Sequence, residues 1–235
     1  QQIADWQAIR QHLLQQSGVS GVSVTTGSPI HRFGDNQWQT NVSLHADFQQ
    51  LNRTSGAMID EHFLAVLKIP LLAGRNISQQ EVQTQAKVVL LNQQLANRLF
   101  PRLELAEVIG KPVYWLNSSD RTEPYQVIGV TANLTLPGVA ETGRLLIPRV
   151  QPSHSMLLVT MKPGATLTSL QLNQWLAQVQ PQYAVTALLS LEQARQQLVA
   201  NDSVTAISTA SLSLMVLMLT SLGIYGAVSY SVQLR

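Results

Sequence analysis

The chain has 235 residues, enough for one large domain or two small ones with a real core, and 45% of them are hydrophobic, which excludes a disordered chain. Charged residues make up only 12% and the net charge is +2, too little for a phosphate-reading surface, so nucleic acid is excluded as a partner. No cysteine is present, which removes disulfides, thiolate metal sites and cysteine nucleophiles.

The chain opens QQIADWQ, without methionine or a charged-then-apolar leader, and is expected to be cut from a longer protein with a membrane segment ahead of Gln1. In residues 2–16, Ile3, Trp6, Ile9, Leu13 and Leu14 recur at spacings of three and four, which predicts a helix that Ser17-Gly18 stops. VSGVSVTT (19–26) alternates as a strand does. A Gly-, Pro- and Asn-rich loop follows at 27–37, then two more strand-like runs at 38–45 and 48–58.

In IDEHFLAVLKIPLLAGRNIS (59–78), Asp60 is placed to cap a short helix carrying Phe63, Leu64 and Leu67, which Pro70 ends. AKVVLLN (86–92) reads as a buried strand whose Asn92 caps a helix through Leu95, Ala96, Leu99 and Phe100 to Pro101. GKPVYWL (110–116) and PYQVIGVTANL (124–134) read as paired strands about a turn at 117–121, and GRLLIPRV (143–150) brings the chain back. MLLVTM (156–161) is a strand, Pro163-Gly164 a turn, and Leu172, Trp175, Leu176 and Val179 give an amphipathic helix. YAVTALLS (183–190) reads as a further strand. A helix-then-strand unit at each end with a mixed segment between suggests a split α/β subdomain holding an insertion at residues 59–150.

From Ser190, a plausible cap, no helix breaker occurs until Gly223, and residues 203–234 carry no acid or base. A hydrocarbon core about 30 Å thick needs roughly 20 such residues as helix, so a transmembrane helix over 204–235 is expected. Ala206, Leu212 and Leu219 fall in its apolar body. Gly223 and Gly226 would let a second helix approach, and Tyr225 and Tyr230 suit an interfacial belt. Arg235 at the far end points to a cytoplasmic C-terminus and an outer location for residues 1–203.

Signals for catalysis are absent. The five histidines show no metal-ligand spacing, and no GxSxG elbow or GxxxxGK[ST] loop occurs. Asp60-Glu61-His62 is the densest ionisable cluster, and its carboxylates read best as first-turn complements to a helix dipole. His45 with Asp47 reads as a surface pair. No catalytic residue, cofactor or metal is expected.

Several stretches together resemble a known family. VSGVSVTTGSP, GAMIDEHFLAVLKIPLLAGRNIS, VVLLNQQLANRLFP with VIGKPVYW, YQVIGVTANL and LTSLGIYGAVSYSVQLR follow the order seen in MacB-like, FtsX-like ABC permease subunits. The runs Phe63 to Arg75, Val89 to Phe100 and Leu222 to Arg235 are the most specific. The resemblance implies an α+β fold: a split porter-like α/β subdomain (residues 1–58 and 151–203), an inserted mainly β subdomain (59–150) and the start of a transmembrane helix (204–235). It implies the periplasmic domain of an ABC transporter permease in the bacterial inner membrane, coupling ATP-driven helix motion to export or mechanotransmission. The partners implied are a second permease protomer, a cytoplasmic ABC ATPase and a periplasmic adaptor or substrate protein. The alternative is a membrane-anchored periplasmic binding or regulatory module without transport.

Overall fold

The computed structural model describes residues 2–26, 39–116, 123–134, 143–149, 155–193, 196, 209, 211–221 and 224. They divide into two units, Gln1–Leu189 and Ser190–Arg235. The loop expected at 27–37 and the turn expected at 117–121 lie outside the described residues.

In the first unit the elements run α1 (Gln2–Leu14), β1 (Val19–Thr26), β2 (Gln39–Ser43), β3 (Asn52–Ile59), α2 (Phe63–Val66), β4 (Leu71–Gly74), α3 (Gln79–Thr84), β5 (Val88–Asn92), α4 (Gln93–Leu99), β6 (Pro112–Trp115), β7 (Tyr125–Thr131), β8 (Arg144–Pro148), β9 (Ser155–Met161) and α5 (Ser169–Val179). The strand order is β2-β6-β7-β5-β8-β3-β1-β9, and β2 also pairs β3. That extra pairing closes β2, β6, β7, β5, β8 and β3 into a ring, with parallel contacts at β3–β8 and β5–β7. Ring closure leaves these strands no free ladder edge to recruit another chain.

Alternation divides the ring strands between two cores. Val89 and Leu91 of β5 and Leu145 and Ile147 of β8 join a cluster fed by every ring strand and by Leu95, Ala96 and Leu99 of α4. Leu90 and Leu146, between them, face the other way onto Ile59, Phe63, Leu64 and Val82. Strands buried on both faces need uninterrupted apolar runs, which is why VVLLN and RLLIP show no polar alternation. Trp115 resolves its polar edge by donating from Nε1 to Thr40 Oγ1 at 2.7 Å, while its ring meets Tyr125 edge-on at 5.7 Å. At β4–β7, Gly74 stands opposite Gly129, and a Cβ on Gly74 would sit 2.2 Å from the Ile128 carbonyl oxygen. Only glycine permits so close an approach of the two strands.

β1 continues the sheet outwards. It pairs β9 antiparallel from Val19↔Met161 to Thr26↔Ser155, whereas it meets β3 in register only at Thr25↔Ile59. α1 and α5 cover this outer part: Ile9 and Leu13 pack with Val19, Val22, Leu172 and Leu176, and Trp6 stacks on Tyr183 at 5.6 Å.

Three expectations change. The run 183–190 is not a strand: the Val185 N–H donates to the Asn173 side chain at 2.7 Å, and Tyr183 and Val185 pack on the α1–α5 cluster instead of joining a ladder. The strand expected from residue 48 starts at Asn52, because Phe48 turns the chain with a left-handed φ of 54°. Asp60 does not cap α2, whose N-cap is His62.

In the second unit, residues 191–193 are helical and Ser190 caps them as expected. Gln193 N donates to Ser190 Oγ at 3.1 Å, and Ser190 N donates to Gln193 Oε1 at 2.9 Å. Residues 211–221 form an unbroken helix, in which Leu212, Leu214, Met215, Val216, Leu217, Met218 and Leu219 are each 56–67% exposed. Ser213, Thr220 and Ser221 donate their hydroxyls to carbonyls four residues back, which removes polar groups from the helix surface. Among the described residues, no helix is long and apolar enough to cross a membrane. Residues 211–221 rise only about 16 Å against a hydrocarbon core of about 30 Å. Of the residues assigned to a span, Leu212 and Leu219 lie in this helix, while Ala206, Gly223, Tyr225, Gly226 and Tyr230 lie outside the described residues.

Candidate functional site

The Asp60-Glu61-His62 cluster, singled out by its ionisable density, falls where β3 gives way to α2. Asp60 N donates to the Val24 carbonyl at 3.2 Å, and Asp60 Oδ2 accepts from Val24 N at 3.1 Å. The residue thus completes with its side chain the β1–β3 pairing that the backbone stops making. Oδ1 accepts from Ser23 Oγ at 2.6 Å and from the His62 N–H at 3.2 Å. Asp60 is 7% exposed, and burial raises its pKa above the ordinary 3.8, opposed by the hydrogen bonds from Ser23 and Val24. This carboxylate is a clasp between β1 and α2, not the dipole complement expected of it.

Above the clasp, Trp6 and Arg10 of α1, Asp60, Glu61 and His62, and Val82 of α3 line a cleft of about 310 Å³. Glu61 Oε1 lies 3.2 Å from His62 Nε2. Trp6 Nε1 is buried without a hydrogen-bond partner among the described residues. Serine, histidine and aspartate meet here, but Ser23 Oγ donates to Asp60 and is fully buried. A nucleophile must instead reach both a base and the substrate, so this arrangement is not an acyl-transfer triad. Among the described residues, no three His, Asp or Glu side chains converge as a metal set. His45 and Asp47 sit in the turn after β2 without an ion pair among the described residues, and Asp47 Oδ1 accepts from Gln49 N at 3.2 Å.

The far wall of the cleft is set by α3, which the sequence reading did not contain. Ser78 and Glu81 form a reciprocal capping box, and Glu81 takes a two-pronged ion pair from Arg75 at 2.6 and 2.9 Å. Arg75, chiefly by this hydrogen bonding, pulls the Glu81 carboxyl down to about 2. The S-x-x-E spacing was a readable signal, but Val82 is the one buried residue of this short helix, too little for a periodicity.

The described residues thus form a mixed α/β domain with a closed strand ring and an outer β1–β9 layer under two helices. The sequence profile of the MacB-like periplasmic core domain matches residues 2–173, and the chain belongs to that family, the periplasmic domains of ABC-type transporter permeases. Among solved structures, the chain is similar to the periplasmic region of MacB from Actinobacillus actinomycetemcomitans (20% identity, 75% of this chain and 72% of that one, TM-score 0.48). It is also similar to a domain of a putative permease protein from Porphyromonas gingivalis (16%, 71% of each chain, TM-score 0.48). A third similarity is to the extracellular domain of the noncanonic ABC-type transporter YknZ from Gram-positive bacteria (17%, 60% of each chain, TM-score 0.41). No curated protein matches the chain.

Proposed function

We propose that the chain is the outer part of a permease that works as a dimer with a cytoplasmic ATPase and passes ATP-driven helix motion to export or to a periplasmic partner. The observation that carries this reading is the family match over residues 2–173 followed by an apolar helical run exposed on all sides at 211–221. Bare apolar helix of this kind calls for lipid or another helix around it. In this reading residues 204–235 continue as a membrane-crossing helix, with residues 1–203 in the periplasm. The division into a split porter-like part and an inserted part belongs to the same proposal. It is supported by α1–β1 and β9–α5 packing as one layer outside the ring, although β2 and β3, within residues 1–58, belong to the ring.

The test exploits the cysteine-free sequence. A single Arg102→Cys, in the exposed turn after α4, is placed in the full-length permease, first cleared of any cysteine outside this chain, and probed in intact spheroplasts with an impermeant maleimide. Labelling before lysis is expected, and labelling only after lysis would reverse the topology and remove the proposal. The same site, spin-labelled in the reconstituted permease–ATPase complex, is expected to change its inter-protomer distance on ATP binding. An outer label whose distance ignores ATP would leave the passive binding module as the better reading.

A further inference from the structure

A second cleft, of about 520 Å³, shares Arg10 and His62 with the first. Arg10, Lys68 and Lys162 supply its charge, and no carboxylate lines it. Glu61 approaches from the neighbouring cleft but is engaged by His62 at 3.2 Å. Arg10 Nε donates to the Val22 carbonyl at 3.3 Å, which fixes the guanidinium at the wall while its two terminal nitrogens remain without a partner among the described residues. Lys68 and Lys162 are exposed and have no ion pair among the described residues. Between these cations the walls are apolar, built by Leu14, Val66 and Met161.

The placement of Lys68 is unusual. The end of α2 is a Schellman motif: Ile69 N donates to the Leu64 carbonyl at 2.8 Å, and Lys68 N to that of Ala65 at 3.2 Å. The left-handed position of that motif is usually glycine, yet here it is Lys68, at φ 55°. A lysine accepts backbone strain that glycine would avoid, and its side chain lines the cleft.

We propose that this cleft binds an amphipathic anion, a single phosphate or carboxylate head held by Arg10, Lys68 and Lys162 with its apolar body on Leu14, Val66 and Met161. Three cations without a lining acid select negative charge, and lysines serve as point charges for such a head while arginine adds a fork. The volume is in the range that accommodates drug-sized ligands and exceeds what a bare inorganic anion needs. This site is independent of the permease reading, since it requires neither a membrane span nor an ATPase.

The full chain in dodecyl maltoside is titrated with monododecyl phosphate, so that probe and detergent share one tail and differ in head charge, and in parallel with inorganic phosphate. Saturable one-to-one binding is expected, with inorganic phosphate at least about tenfold weaker. Lys68→Gly and Lys162→Gln should each weaken monododecyl phosphate by about 5- to 10-fold, the scale of one charge-assisted contact. Lys68→Gly removes the charge and relieves the left-handed strain, so it is expected to melt no lower than the parent, and lost affinity then cannot come from unfolding. Lys162→Gln supplies the same reading from a second exposed position. Unchanged affinity in both variants, or no saturable binding in the parent, overturns the site. Inorganic phosphate binding as tightly as monododecyl phosphate overturns its amphipathic character.

Discussion

Replacing Asp60 by alanine removes an acceptor from three donors: Ser23 Oγ at 2.6 Å, Val24 N at 3.1 Å and His62 N at 3.2 Å. Their losses are unequal. Val24 N is buried in β1 and has no water to turn to, so it bears the full penalty of an unpaired buried donor, about 1–3 kcal/mol. The buried Ser23 hydroxyl can rotate, and His62 is half-exposed, so these two add about 1 kcal/mol together. Relief from burying a carboxylate offsets part of this, leaving a net cost of about 2–3 kcal/mol. Asn at the same position keeps Oδ1 for Ser23 and His62 but sets an NH₂ against Val24 N, so that buried donor is again unpaired, a net cost of about 1–2 kcal/mol once relief from burying a charge is counted. For a chain of this size these become Tm drops of about 4–12 °C for Asp60→Ala and about 2–8 °C for Asp60→Asn, read by circular dichroism in dodecyl maltoside at pH 7. The raised pKa of Asp60 adds a pH signature. Between 3.8 and the higher folded value, the unfolded chain has released this proton while the folded one keeps it, so the Asp60 contribution falls as pH rises through that window. Asp60→Asn should abolish that slope. An alanine variant as stable as the parent, or an asparagine variant less stable than the alanine one, would refute the clasp.

Glu81→Gln should cost about 1 kcal/mol or less, since Arg75 is largely exposed and solvent screens the pair. Because the Glu81 pKa is depressed, its contribution is present above 4.5 and fades as pH falls towards about 2, so acid melts of the variant should be flatter there. Leu95→Ala, at a fully buried site in the ring cluster, is expected to cost about 3 kcal/mol, whereas Leu170→Ala on the exposed side of α5 should stay within about 0.5 kcal/mol. Urea melts distinguish the two. Gly74→Ala should fail to give soluble folded protein, because its Cβ would enter the Ile128 carbonyl. Gly164→Ala, also at positive φ but with open space around it, should fold at a cost of about 1 kcal/mol.

Where periodicity and local capping decide structure, the sequence was readable. Asn92 caps α4 by accepting from Leu95 N, Ser190 caps residues 191–193, and the apolar stripes of α1 and α5 face each other as their spacing required. The run 183–190 misled because its Val-, Thr- and Leu-rich composition suits a strand, while the Asn173 side chain captured the backbone donor first. β4 has too few residues to show a period and exists because two glycines allow β7 to come close. The clasp and the cationic cleft join residues far apart along the chain, so no local motif announces either. Asp60 was noticed for its charge, yet its partners on β1 only became visible once the strands were placed.

The β1–β9 pairing sets a constraint on the order of synthesis. Ser20 and Thr160, hydrogen-bonded at 3.0 Å, are 140 positions apart, and the ring strands all lie between them. At roughly 5–20 residues per second, β1 leaves the ribosome about 7–28 s before its edge partner exists. During that interval its alternating valines and open ladder are available to any passing strand. The ring therefore has time to close first, and β9 arrives last as the strand that shelters β1, which makes the nascent chain rather than the finished domain the form most exposed to mispairing.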